Sequence, residues 1–285
     1  MNPEEIRKLK KNDIGLVAIC APCQPFSRQN RNRSIRDDRS RLVLSALPFV
    51  EILNPKVVFL ENVPGLGKKS VFKRFTKALR NFGYDVSNPM CLDAGSLGVA
   101  QRRNRMIMIA TKGLNIDVAI NIASKEKVTV RQAIGDLPVP SIGFSCQLPD
   151  PMHFARKHSA INIDRLKQIP HDGGGRKSLP ARLQLACHKS NRPNSFSDTY
   201  SRMKWDDVAP TLTTGCTDIT RGRYAHPVQN RAITLREAAR LQSFPDDYKF
   251  IGVPKQIAMQ IGNAVPPQMM CTIGESIMAA FACEY

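Results

Sequence analysis

Three observations predict an α/β fold with a parallel sheet and a second, loop-rich domain. Apolar runs at Leu16 to Cys20, Val57 to Leu60 and Met106 to Ala110 are short and unbroken, as strands buried on both faces are. Helical patterns separate them, and strand alternating with helix is the signature of a parallel α/β sheet. From about Ser124 to Asn230 both periodicities lapse, with Pro, Gly and Ser punctuating short segments and Gly173-Gly174-Gly175 interrupting a basic stretch.

The polar start, Met1 to Asp13, carries no signal-peptide pattern, and no apolar run is long enough to span a bilayer, so a soluble, intracellular protein is expected. The first strand runs into Ala21-Pro22-Cys23-Gln24-Pro25-Phe26-Ser27. Pro22 and Pro25 fix φ around the Cys23-Gln24 pair and bias the residues before them away from helix, so the thiol rides on a stiff turn. Open α/β sheets bind ligands beyond the carboxyl ends of their strands, which makes Cys23 a candidate nucleophile. A free cysteine is more often a buried small hydrophobe. Cys20 and Cys23 also match the CxxC of a redox pair, but Pro25 and an arginine-rich stretch follow where such a pair would open a helix.

Between Arg28 and Arg41 six arginines face only Asp37 and Asp38, in a Ser/Asn-rich stretch that reads as a loop. A helix over Arg41 to Leu53 bends at Pro48. The second strand closes on Glu61-Asn62-Val63, which puts a carboxylate at the same sheet edge as Cys23. Ser70 to Phe82 is a helix with Val71, Phe72, Phe75, Leu79 and Phe82 on one stripe, Ser70 as its cap and Gly83 at its end. Its other stripe, Lys73, Arg74, Lys77 and Arg80, reads as a solvated face. Gln101-Arg102-Arg103-Asn104-Arg105 leads into the third strand, where alternation sends Arg103 and Arg105 to one side. After the loop-rich region, Thr234 to Phe244 returns to helix, with Thr234 as N-cap, Glu237 at the capping-box position and Pro245 beyond the end. Gln256 to Ile261 leads into Gly262-Asn263-Ala264-Val265-Pro266-Pro267, and a final amphipathic helix runs from about Gln268 to Ala282.

A net charge of +18 creates a field that attracts polyanions, with nucleic acid the leading partner. Eight scattered cysteines are too few and too irregular for a disulfide framework, so reduced thiols are expected. The five histidines show no metal-site spacing, and no metal is expected even with Cys187 beside His188.

Taken together and in this order, the proline-flanked Cys23, Glu61-Asn62-Val63, Gln101 to Arg105, the segment Arg231 to Asp246 and Gly262 to Pro267 resemble the cytosine-5 DNA methyltransferase family. The resemblance covers nearly the whole chain. It implies a catalytic domain in two parts, 1–123 and 231–285, around a target-recognition domain at 124–230 that reads base edges in the major groove. It implies S-adenosylmethionine as cofactor, met by Pro22, Gln24, Asn263 and Val265, and double-stranded DNA as substrate, with the cytosine flipped out of the stack. Cys23 matches the nucleophile that adds to carbon 6, Glu61 the acid that stabilises the adduct, and Arg103 and Arg105 the arginines that hold the base and its acidic partner. Ser27, Arg28, Arg31, Arg33 and Arg36 would close over the DNA backbone. A bacterial restriction-modification system, acting at the nucleoid in the cytoplasm, is the implied setting.

Relative to the family pattern, the glycine-rich cofactor turn and its strand are not found ahead of the first apolar run, so the expected fold is an incomplete Rossmann-like S-adenosylmethionine-dependent methyltransferase sheet. Two readings follow. Either a companion polypeptide carrying the glycine-rich motif completes the enzyme, which is inactive alone, or the chain is a non-catalytic DNA-binding remnant. A stiffly mounted thiol favours the first, since a binding module has no need of one.

Overall fold

The computed structural model describes residues 4, 14–21, 38–113, 124–145, 147–185 and 198–282. It forms two compact units, one drawn from residues 1–93, 104–123 and 272–285 and the other from 94–103 and 124–271. Among the described residues no helix is long and apolar enough to cross a membrane.

The first unit is built on a five-stranded mixed sheet. β1 (Leu16–Ile19) pairs in parallel with β2 (Val57–Asn62), Leu16 opposite Val57 and Ile19 opposite Leu60. β3 (Asp85–Val86), β4 (Met90–Asp93) and β5 (Asn104–Thr111) follow, and β5 lies between β2 and β3, antiparallel to its neighbours. The expected all-parallel sheet is therefore corrected. Burial of both faces shows that a strand is central but carries no information about its direction. The strand that follows the helical crossover from β2 is the two-residue β3, too short to read as an apolar run, and the chain then doubles back through β4 into β5.

β1 also differs from the strand buried on both faces that its composition suggests. It ends the sheet order, and Leu16 is 44% exposed while Ile19 is buried. The helix expected over Arg41 to Leu53 is divided into a 3-10 stretch, Asp38–Ala46, and α1 (Leu47–Leu53), with Pro48 in the first turn of α1 where its missing N–H costs nothing. α2 (Ser70–Asn81) starts one residue earlier than its expected cap requires: Lys69 is the N-cap and makes no side-chain capping bond, so Ser70 lies inside the helix. Gly83, at φ +86°, takes the left-handed position after the helix as expected. Phe75 and Leu79 of α2 are fully buried in a core with Val58, Leu60, Met108 and Ala110, each contributing about 1.5–3 kcal/mol.

The second unit consists of short helices and loops. α3 (Val130–Ile134) opens on a capping box made by Thr129 and Gln132. β6 (Ser141–Ile142) and β7 (Phe154–Ala155) form a small parallel pair, and α4 (Ala160–Gln168) follows. α5 (Leu235–Leu241) has the expected Thr234 and Glu237 capping box. α6 (Pro254–Asn263) follows in this unit, and α7 (Pro267–Ala282), which from Thr272 belongs to the first unit, completes the chain's helices among the described residues. Leu212, Leu235, Ala238, Leu241, Ile257 and Ile261 share one core with α3.

Two buried groups in this unit respond to pH. His226 accepts backbone N–H bonds at Nδ1 from Val228 (3.3 Å) and Gln229 (3.0 Å), so its ring is neutral in the folded state. Burial first, and then the charge of Arg231, push its pKa down to about 4. The unfolded chain takes up this proton below about pH 6.5, so the stabilisation from a neutral ring is complete above that pH and is lost as pH falls toward 4. The loss should approach about 3 kcal/mol. Glu237 moves the same way at lower pH: burial raises its carboxyl, but bidentate bonds from Arg231 at 2.6 and 2.7 Å outweigh this and hold it low. Urea midpoints measured from pH 8 to 4.5 should decline below pH 6.5, and His226→Asn, whose carbonyl can replace the Nδ1 acceptor, should flatten that decline. An equal decline in the variant would rule out His226 as its source.

Candidate active site

Parallel pairing puts the carboxyl ends of β1 and β2 at one sheet edge, and Ile19 opposite Leu60 brings Cys20 level with Glu61 there. Because β5 is antiparallel, its beginning reaches this same edge, with Met106 opposite Asn62. A parallel third strand would have carried Arg105 to the far end, about 20 Å away at about 3.3 Å per residue. Instead Arg105 Nε meets Glu61 Oε1 at 2.7 Å, with side chains only 10% and 8% exposed. Arg105 also donates to the Asn104 carbonyl at 2.9 Å, which fixes its guanidinium across the strand end.

Asn62 adds a link that the sequence did not single out. Its buried side chain donates from Nδ2 to the Ala21 carbonyl at 2.9 Å while Oδ1 accepts from the Val63 N–H at 3.0 Å, tying the ends of β1 and β2 together. Cys20, although an exposed residue, has its thiol pushed up to about 11, by burial of the group first and then by the negative charge of Glu61. A thiol raised this far is protonated near neutrality and unsuited to redox exchange. Pro22, Cys23, Gln24, Ser27, Arg28, Arg31, Arg33 and Arg36 lie outside the described residues, as do Cys187 and His188.

Arg103 precedes β5 and has different partners from Arg105. Its guanidinium donates to the carbonyls of Leu212 (3.1 Å), Gly262 (3.1 Å) and Ala264 (2.9 Å). Gln101 accepts from the Leu212 N–H at 2.8 Å and donates to Gln242 Oε1 at 2.7 Å, and Gln242 in turn donates to the Ile261 carbonyl. This network pins the turn between α6 and α7. Gly262 is required there by space: a Cβ would come within 2.4 Å of the Thr213 carbonyl carbon and 2.5 Å of the Thr214 nitrogen, both backbone atoms that cannot yield. Asn263 remains exposed on the pinned turn, and Val265 is half-buried. Gln242 lies in the Arg231 to Asp246 segment already noted, but a glutamine in an amphipathic helix carries no signal that it is fully buried.

The sequence pattern of the C-5 cytosine-specific DNA methylases matches residues 1–279. The chain belongs to this family. Among the family's curated members, it is 36% identical to the Type II methylase M.HgiDII of Herpetosiphon aurantiacus, over 96% of this chain and 78% of that one. It is 33% identical to the Type II methyltransferase M1.BsuMI of Bacillus subtilis (strain 168), over 92% of this chain and 60% of that one. DNA (cytosine-5)-methyltransferase 3 of Arabidopsis thaliana is 29% identical over 94% of this chain, which spans 23% of that protein. In fold, this methylase-family chain is similar to a structure described as a DNA modification methyltransferase encoded within an E. coli prophage, with a TM-score of 0.73 at 23% identity, covering 99% of this chain and 84% of that one. The S. pombe Dnmt2 methyltransferase shares the fold at a TM-score of 0.62 and 17% identity, covering 97% of this chain and 81% of that one.

Proposed function

We propose that the chain transfers a methyl group to carbon 5 of a cytosine flipped out of double-stranded DNA. The observation that carries this reading is the buried Glu61–Arg105 pair, at 2.7 Å, on the sheet edge from which Ala21 leads within two residues to Cys23. Carbon 5 of cytosine is a poor nucleophile. Addition of the Cys23 thiolate to carbon 6 moves electron density onto carbon 5 and leaves negative charge on the ring. Glu61, oriented by Arg105 and carrying a proton taken up when the base binds, donates that proton to ring nitrogen 3 and accepts from the exocyclic amine, and so stabilises that charge. Transfer of the carbon 5 proton to a solvent base after methylation then restores the carbon 5–carbon 6 double bond and expels the Cys23 thiolate with the electron pair of the carbon 6–sulfur bond.

S-adenosylmethionine supplies the electrophilic methyl group when bound. The fit of this chain to it is supported by Asn263, an exposed amide on a turn whose flanking carbonyls are already engaged by Arg103, so that its side chain is offered outward from a fixed backbone. Asn263 and Val265 are the cofactor's contacts in this reading, as are Pro22 and Gln24. Arg103 acts as a positioning residue for Asn263. Ser27, Arg28, Arg31, Arg33 and Arg36 contact phosphates around the flipped base, and residues 124–230 read the target sequence. The relatives named Type II methylases support a place in a restriction-modification system of a bacterial cytoplasm.

The outer edge of β1, unpaired among the described residues and exposing Leu16, supports a further element: a strand carrying the glycine-rich cofactor turn pairs there and completes the Rossmann-like sheet. Transfer of labelled methyl from S-adenosylmethionine to duplex DNA tests both parts. Activity only when a segment carrying that turn is supplied is expected, and activity of residues 1–285 without it would remove the further strand. Cys23→Ser should reduce transfer in the active form to background, and undiminished transfer would remove the covalent mechanism.

A further inference from the structure

Between Asn62 and Tyr84 the sequence holds six basic residues, Lys68, Lys69, Lys73, Arg74, Lys77 and Arg80, and no acidic one. All six are exposed. Among the described residues none has a carboxylate or a side-chain hydrogen bond as partner. α2 buries Val71, Phe72, Phe75 and Leu79 on its inner side, so at about 100° per residue Lys73, Lys77 and Arg80 fall within an arc of about 60° on the outer side, with Lys69 beside them at the helix start.

This arrangement is electrostatically unfavourable for an isolated helix. Lys69, Lys73 and Lys77 repeat at i, i+4, where like charges repel, and Lys68 and Lys69 lie at the N-terminal, positive end of the helix dipole. Surface helices ordinarily relieve such charge with interleaved carboxylates. No carboxylate among the described residues supplies that relief here, and a polyanion with regularly spaced charges fits it: the i, i+4 repeat advances about 6 Å along the axis. The helix also begins shortly after β2 ends, so the basic row starts from the sheet edge that holds Glu61 and runs away from it.

We propose that the outer face of α2 is a second, sequence-independent contact for the duplex DNA backbone, separate from the Arg28 to Arg36 segment. It captures DNA flanking the target and contributes to affinity without contributing to sequence choice. This inference rests on the reading of the chain as a DNA-acting methyltransferase.

The test is the salt dependence of binding of the full chain to duplex DNA, compared with Lys73→Gln/Lys77→Gln/Arg80→Gln. All three side chains are exposed and outside the core, so folding should be retained. The slope of log affinity against log salt should become shallower by about 2 to 3, and two duplexes of unrelated sequence should be weakened equally. Lys249→Gln/Lys255→Gln, which removes exposed charge elsewhere, should leave the slope nearly unchanged. An unaltered slope in the triple variant, with salt-dependent binding by the wild type, overturns the α2 contact while leaving the enzyme reading intact. A comparable change in the control overturns it as well, since overall charge would then be the cause. Strong binding to polyglutamate with weak, salt-insensitive binding to DNA would point to an acidic protein partner and overturn the DNA reading with it.

Discussion

Replacing Glu61 with glutamine is expected to lower methyl transfer by about 10²- to 10⁴-fold, the range lost when a positioned acid or a charge-stabilising group is removed. Glutamine keeps the shape of the side chain but removes the charge that Arg105 meets at 2.7 Å in a site where both groups are about nine-tenths buried. Truncating one member of such a pair costs about 3–5 kcal/mol because the other is left uncompensated, so stability should fall as well. Glu61→Leu/Arg105→Met separates the two effects. An apolar replacement of the whole pair is often neutral, so the double variant should recover most of the lost stability and none of the activity. Urea midpoints and single-turnover transfer provide the two readouts. If activity returned together with stability, Glu61 would be a structural residue and the assigned chemistry would fail.

Arg202→Leu is expected to destabilise the second unit by at least about 4 kcal/mol. Arg202 is 0% exposed and satisfies all five of its donors. Nε donates to the Ile169 carbonyl, one terminal nitrogen to the carbonyls of His226 and Gln229, and the other to the Leu166 carbonyl and Asn230 Oδ1. Burial lowers its pKa, and among the described residues its charge is held by carbonyl and amide dipoles. Leucine fills some of the volume but strands five acceptors from two separate segments, the end of α4 (Leu166 and Ile169) and the loop from His226 to Asn230, and each unsatisfied buried group costs about 1–3 kcal/mol. Lysine should rescue little, having three donors and no planar fork. Trp205 is the chain's one tryptophan and stacks edge-on against His226 at 5.2 Å, so its fluorescence reports unfolding of this unit directly. A variant midpoint within about 1 kcal/mol of wild type would show that the loops hold without this arginine.

The contrast between these two residues shows what was readable in the chain. Glu61 could be placed because it ends an apolar run, and a strand end has a defined location in an α/β sheet. Arg202 could not, because it lies in a stretch without periodicity, where an arginine is ordinarily read as surface charge. Gln101 and Gln242 were hidden for a similar reason: their burial follows from the carbonyls they satisfy, and those carbonyls belong to residues far away in sequence. Ser70 was misplaced as a cap by one residue, within the range over which local chemistry leaves a helix start undetermined.

By itself the sequence determined β1, β2, β5 and α2 of the first unit, the capping box of α5, the strongly basic character and the motifs that belong to the methylase family, because each depends on neighbours within a few residues. Only the tertiary structure decided the direction of β5, the exposure of β1, and the different partners of Arg103 and Arg105. These depend on which strand fills the position beside β2. A short apolar run is equally well buried in either direction, and only the antiparallel one brings Arg105 to Glu61.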